Sequence, residues 1–139
     1  MPDHATVVKL EVAVRGREVT ATLLFLNHGQ DGFAVEKFNT CADGKMDKEL
    51  FEITTAATPP KEVRYVGITA KRPPSGPGDY TTVAPGKSLR TTVRLDPYYA
   101  FPPEGGTFVA RYSVYNAMPD GELVQLVSNP VTFQVEKSN

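Results

Sequence analysis

The residues able to do acid–base, nucleophilic or metal chemistry are few and scattered. There are 2 histidines, His4 near the N-terminus and His28 in the turn-like run Asn27-His28-Gly29. A protein zinc site takes several ligands at set spacings, and neither His-Glu-x-x-His nor Cys-x-x-Cys occurs. The single cysteine, Cys41, has no histidine beside it, and Asp43 and Lys45 nearly cancel in charge, so nothing in the local sequence activates the thiol. Asp43, Asp47 and Glu49 share a loop but lack the ligand spacing and closing Glu of an EF-hand, and they read as a solvated acidic loop. No Gly-x-Ser-x-Gly is present, and Gly76-Pro77-Gly78 is not followed by the Lys-Ser/Thr of a phosphate-binding loop. With no acid, base, nucleophile or metal cluster converging, a non-enzymatic chain without cofactor or metal is expected.

The elements that carry these residues read as strands. In Thr6–Val14, Val8, Leu10, Val12 and Val14 alternate with Val7, Lys9, Glu11 and Ala13, the period of a half-buried strand. After Gly16, Val19, Ala21, Leu23 and Phe25 share one face, while Leu24 and Leu26 make the far end apolar on both. Short strands are expected over Phe33–Asn39, Leu50–Thr55 and Lys61–Lys71. In the last of these the apolar face switches between Tyr65 and Val66, which points to a bulge or a close backbone approach at Gly67. Ser88–Leu95 alternates cleanly, with Leu89, Thr91, Val93 and Leu95 inward. Asp96 and Pro97 suit the cap and first position of one helical turn. Gly106–Asn116 then places Phe108, Ala110, Tyr112 and Val114 inward, and Glu122–Ser128 with Pro130–Glu136 reads as a final hairpin.

About seven to nine short strands with turn signals between them give an all-β fold, an immunoglobulin-like antiparallel β-sandwich. The length of 139 residues suits one domain spanning residues 1–139. The Cys…Trp…Cys core of true immunoglobulin domains is missing, since the chain has no Trp. With 15 Lys+Arg against 16 Asp+Glu there is no surplus of positive charge for nucleic acid. No apolar run approaches a membrane span, and the N-terminus reads as a strand and not as a signal peptide, so the chain as it stands is expected in the cytoplasm and off the membrane. A monomer or a weak homodimer through an edge strand is the expected assembly.

Two features stand out from this background. Tyr98, Tyr99 and Phe101 cluster, with Tyr112 and Tyr115 later; the simplest role is to close one end of the sandwich, hydroxyls bonded to backbone. The stretch Ala70–Gly86 holds Pro73, Pro74, Pro77 and Pro85 behind the basic pair Lys71-Arg72. It is a surface connector or a projecting docking loop. A polyproline ligand fits less well because Gly76 and Gly78 interrupt the register, and a Lys-Arg cleavage site would suit a secreted precursor.

From Phe38 to about Tyr115 the order of motifs resembles a known family. Phe38–Thr54 is followed by Val63–Phe101, with Tyr65, Lys71-Arg72, Asp79-Tyr80 and Pro85-Gly86, and then by Gly105–Tyr115. This is similar to the propeptide domain that precedes deuterolysin-type zinc endopeptidases, including the peptidyl-Lys and aspzincin-like enzymes. Cys41 stands where the pattern usually has Pro, Phe38 where it often has Trp, and Ala100 where it has a polar residue. The zinc-binding helix of the protease is absent from the chain, so the zinc chemistry is not carried over. The resemblance implies a sandwich that covers a protease cleft, here acting in trans as an inhibitor or as a folding or latency partner of a zinc metalloendopeptidase. The candidate docking loops are Phe38–Lys45, with Phe38, Thr40, Cys41 and Asp43, and Lys71–Tyr80, with Lys71, Arg72, Pro73, Pro74, Asp79 and Tyr80. Occlusion would come from the loops' bulk, or from a loop carbonyl, carboxylate or thiolate approaching the partner's zinc. The alternative is an interaction, structural or carbohydrate-binding sandwich without a protease target.

Overall fold

A computed structural model describes residues 5–139; His4 lies outside the described residues. Alternation decides the architecture. Strands β1 (Thr6–Arg15) and β2 (Glu18–Asn27) form a long antiparallel hairpin, and β6 (Ser88–Arg94) adds to the far side of β2. Gly16 at the hairpin tip has φ 65°, the left-handed conformation that so tight a turn demands. The second sheet is built on the longest strand, β7 (Gly106–Ala117), with β4 (Phe51–Thr55) on one edge. Its other edge carries β8 (Leu123–Val127) and β9 (Val131–Val135). A separate two-stranded ribbon pairs β3 (Phe33–Glu36) with β5 (Tyr80–Val83). The whole is an antiparallel β-sandwich.

The core lies between β2 and β7. Val19, Ala21, Leu23 and Phe25 face Phe108, Ala110, Tyr112 and Val114, and all eight are buried, as the alternation predicts. Phe25 meets Tyr112 edge-on at 5.8 Å, and Phe51 meets the same ring at 5.7 Å. Full burial of a large apolar side chain contributes roughly 1.5–3 kcal/mol, so these facing rows supply much of the driving force. The tyrosines close the core as expected: the Tyr99 hydroxyl donates to Phe51 O at 2.9 Å and accepts from Phe51 N at 3.0 Å. Tyr115 does not join them; it stands exposed.

Four expectations need correction. The last two strands are not a hairpin with each other, because both pair with β7, in line along one edge. The register shifts by one residue between Ser113↔Val127 and Ala110↔Val131, so β8 and β9 are one strand with a bulge at Ser128–Pro130. Asn129 turns its side chain sideways from that bulge and takes both backbone groups of Leu10, Leu10 N donating at 2.9 Å and the Asn129 amide donating to Leu10 O at 3.1 Å. With the parallel bridge Val8↔Ser128, this joins the two sheets.

The segment Lys61–Lys71 forms no strand. It changes partner every few residues: Thr55 N donates to Lys61 O and Val63 N to Ile53 O, then Val66 N to Tyr98 O, then Ala70 N to Asp47 O. No ladder survives such switching, though Gly67 is indeed a point of close approach, since a Cβ there would meet the rings of Tyr65 and Tyr98. The expected strand Phe33–Asn39 stops at Glu36 and continues as a single 3-10 turn, Lys37–Asn39. Asp96 does sit before a tight turn, in which Leu95 O accepts from Tyr98 N and Tyr99 N. Its carboxylate, however, accepts from Val19 N at 3.0 Å and from Arg94 Nε at 2.8 Å and so ties β2 to β6.

Candidate functional site

The two loops singled out from the sequence meet at one end of the sandwich. Phe38 sits on the 3-10 turn that follows β3, half-buried, with its ring face between two cations. The Arg72 guanidinium carbon is 4.8 Å from the ring centroid, and Lys48 Nζ is 5.1 Å from it. Both distances suit cation–π attraction, which is stronger the less water reaches the pair. Arg72 also forms an ion pair with Asp47. One arginine of the proline-rich loop therefore bridges an aromatic and a carboxylate of the other loop.

Beneath this contact is a buried polar cluster that the sequence did not flag. Glu36 is only 5% exposed. Its Oε1 accepts from Ala117 N at 2.8 Å, and its Oε2 accepts from Ser75 Oγ at 2.6 Å. Asn116 supplies the lateral bonds that β3 lacks, accepting from Glu36 N at 2.8 Å and donating to Ala34 O at 3.0 Å. Asn39 connects Glu36 with Lys48, and the Tyr112 hydroxyl donates to Asn39 O at 2.6 Å. The loop Ala70–Asp79 is thus latched at Arg72 and at Ser75, and its backbone adds the bond from Ala70 to Asp47.

Of the predicted contact residues, Asp43, Lys71, Arg72, Pro73, Pro74 and Asp79 are exposed, and Phe38 is half-buried. Thr40 and Cys41 are buried, and Tyr80 is half-buried with its hydroxyl engaged. Thr40 donates through Oγ1 to Lys37 O at 2.7 Å, while the Tyr80 hydroxyl donates to Ala117 O at 2.7 Å. Cys41 is 2% exposed, and burial, with the Asp43 carboxylate beside it, pushes its thiol up from 9.0 to about 12. A thiolate from Cys41 approaching a partner's zinc is therefore ruled out by its burial. In the acidic loop Asp47 pairs with Arg72, and Asp43 accepts from Lys45 N at 3.2 Å.

Against the Phe38 contact opens a cleft of about 850 Å³. Its walls are Phe38, Met46, Val66, Ile68, Tyr98 and Arg72. Val66 and Ile68 are 50% and 68% exposed, an unusual placement for branched apolar side chains. The switch of apolar face after Tyr65 is the sequence signal that could have found them. Glu36 left no such signal, because a carboxylate at the end of a strand ordinarily points to water.

No family model matches the chain, and no curated protein matches its sequence. Among solved structures it is similar to the X-ray structure of Northeast Structural Genomics Consortium target SoR45, at 15% identity and a TM-score of 0.52. The match covers 95% of this chain and 86% of that one. At that identity the likeness is one of fold alone. No helix among the described residues is long and apolar enough to cross a membrane.

Proposed function

We propose that the chain is a non-enzymatic protein-binding module whose loop end docks on a partner. Following the resemblance of Phe38–Tyr115 to a propeptide, the partner is a zinc metalloendopeptidase, held inactive or assisted in folding by occlusion of its cleft. The observation that carries this reading is the convergence of both loops on Arg72, which packs on Phe38 and pairs with Asp47. A loop latched at Arg72 and Ser75 and stiffened by Pro73, Pro74 and Pro77 loses little conformational entropy on docking. Asp43 and Asp79 are the exposed carboxylates able to approach a partner's metal; Asp79 already accepts from Gly76 N at 2.8 Å.

The test is a titration of a deuterolysin-type endopeptidase with the purified chain, read by peptide cleavage. Inhibition should complete near one equivalent. Replacing residues 71–79 by a short Gly-Ser linker should abolish it while the far-UV spectrum and Tm are retained. Full protease activity at molar excess, or rapid digestion of the chain, would sink the proposal. A second reading is favoured by the cleft itself: the ring of Tyr98 beside Asp43 and Asp79 suits a sugar face and its hydroxyls. Chemical-shift changes confined to these residues in a glycan titration would select it.

A further inference from the structure

The outer face of the β7–β8 hairpin carries exposed apolar side chains around Gln125, and the turn at its end adjoins Arg72, Pro73, Pro74 and Ser75 of the loop end. Tyr115, Leu123 and Val127 are 62%, 65% and 43% exposed, and Val7 of β1 is 43% exposed. Tyr115 lies diagonally across the strand pair from both Leu123 and Val127, with Gln125 between those two. The register sets Leu123 against Ala117, Gln125 against Tyr115 and Val127 against Ser113, and the Val8↔Ser128 bridge brings Val7 alongside Val127. A folded monomer tolerates single exposed apolar residues, whereas a group of them on neighbouring strands suits an interaction surface.

The charges around the patch say which partner. At one end stand Lys9, one residue past the Val8↔Ser128 bridge, and Arg111, one residue before Tyr112, which binds Ser128. At the other end the Met118–Glu122 turn presents Asp120 and Glu122, both exposed. None of Lys9, Asp120 and Glu122 forms an ion pair with another described residue, and Arg111 has only the exposed Glu52 at 3.0 Å. Glu11, exposed two residues on from Lys9, and Glu52 beside Arg111 leave that end mixed in sign, so the complementarity when turned end for end rests on Lys9 against the Asp120–Glu122 turn.

We propose that this face is an isologous interface with a second copy of the chain. The two-fold axis lies in the plane of contact and crosses the strands at the level of Tyr115 and Gln125. Lys9 and Glu122 lie about 10–13 Å to either side of that level, at the usual rise per strand residue. Turning one copy over therefore lays its Lys9 and Arg111 on either flank of the other copy's acidic turn. Val127 and Val7 come to face Leu123, and Tyr115 faces Tyr115. Four apolar side chains per copy form a small interface, so the dimer is weak and concentration-dependent. The pairing uses sheet faces, not the edge strand that the sequence alone suggests, and it does not depend on the protease reading.

Sedimentation equilibrium across roughly 1 to 500 μM tests it, since a weak dimer passes through its midpoint in that range. The chain should move from monomer to dimer, with weaker association at high salt. Val127→Lys or Tyr115→Lys should weaken dimerisation by about tenfold or more, as expected for removing a central apolar contact. Lys9→Glu should also weaken it, and Lys9→Glu with Glu122→Lys in one chain should restore it. All four sites are exposed, and an unchanged far-UV spectrum checks the fold of each variant. A monomer at every concentration overturns the proposal, whichever other molecule covers the face. A dimer indifferent to both Val127→Lys and the charge reversal overturns it as well, and would move the contact to a strand edge.

Discussion

The sheet core and the loop end of this molecule are held by different physics. Between β2 and β7, Leu23, Phe25, Phe108 and Tyr112 are shut away from water, and stability there scales with the apolar area and the fit of the rings. At the loop end Cys41 and Met46 are the side chains of the polar loop that reach the core. Position there is set by directional bonds: Ser75 to Glu36, Asn116 to β3, Arg72 to Asp47 and Phe38. A core of the first kind tolerates no hole but is indifferent to most surface change. A site of the second kind can lose its shape while the sandwich stays folded, which is what a docking end separate from the fold requires.

The largest expected effect breaks the core. Phe25→Ala removes the ring that packs edge-on against Tyr112 and should cost about 3–5 kcal/mol in urea unfolding, the range for truncating a buried aromatic. A loss below about 1 kcal/mol would mean that the facing rows of β2 and β7 do not carry the fold.

Cys41 sharpens the boundary between the two regions, because it begins the polar loop yet packs into the core. With its thiol pushed up to about 12, labelling by a thiol reagent at neutral pH should follow global unfolding, slow in the native state and fast in urea. The pH dependence has a fixed sign. The folded pKa lies above the 9.0 expected when unfolded, so this contribution to stability is intact below pH 9 and is lost as pH rises toward about 12. Cys41→Ala should flatten that alkaline limb. Rapid labelling of the native protein would instead assign Cys41 to a loop that opens by itself.

Glu36 tests whether the loop end is latched from beneath. Glu36→Ala leaves Ala117 N without its acceptor in a buried place, while Asn39 Nδ2 keeps Asn116 Oδ1, and should cost about 1–3 kcal/mol. Its second consequence is local: with Ser75 released, trypsin should cut after Lys71 faster than in the parent chain, at temperatures where the sheets remain folded; the Arg72–Pro73 bond resists trypsin in either case. Unchanged cleavage would show that the Arg72 contacts alone hold the loop.

These cases also explain how much was legible in the sequence. Strand identity and the core rows were readable because every buried residue from Val19 to Phe25 and from Phe108 to Val114 repeats the same period. Lateral partners were not. Ser128-Asn129-Pro130 has the composition of a turn, and only the fold reveals that Asn129 spends its amide on Leu10 instead of reversing the chain. Asn116 does the same for β3, so two asparagines stand in for stretches of ladder that no periodicity records. Lys61–Lys71 misled for a related reason: its first residues alternate properly, but its partners change along its length. The two loops were visible as a proline-rich stretch and a polar turn. Their meeting through Asp47 and Arg72 depends on tertiary proximity, which spacing in the chain does not encode.

The smallest expected effect on stability falls on the residue with the largest expected effect on binding. Arg72 is part-exposed, its ion pair with Asp47 is open to solvent, and pairs of that kind contribute about 0–1 kcal/mol. Stacking on Phe38 adds about 0.5–1 kcal/mol at an exposed site. Arg72→Ala should therefore leave Tm within a few degrees of the parent, by the usual conversion of about 1 kcal/mol into 2–8 °C for domains of this size range. Yet it removes a side chain that joins the two loops, and part of the cleft wall with it. If the loop end is the docking site, inhibition of the partner protease should weaken about tenfold or more, as for a central arginine of an interface. Arg72→Lys separates charge from shape: it keeps the cation but loses the planar group over Phe38, so it should fall between the two. Equal binding by parent and Arg72→Ala would leave the loops as connectors and move the docking surface elsewhere. A large fall in Tm would show that the loop end is part of the core after all, and the contrast drawn between the two regions would be wrong.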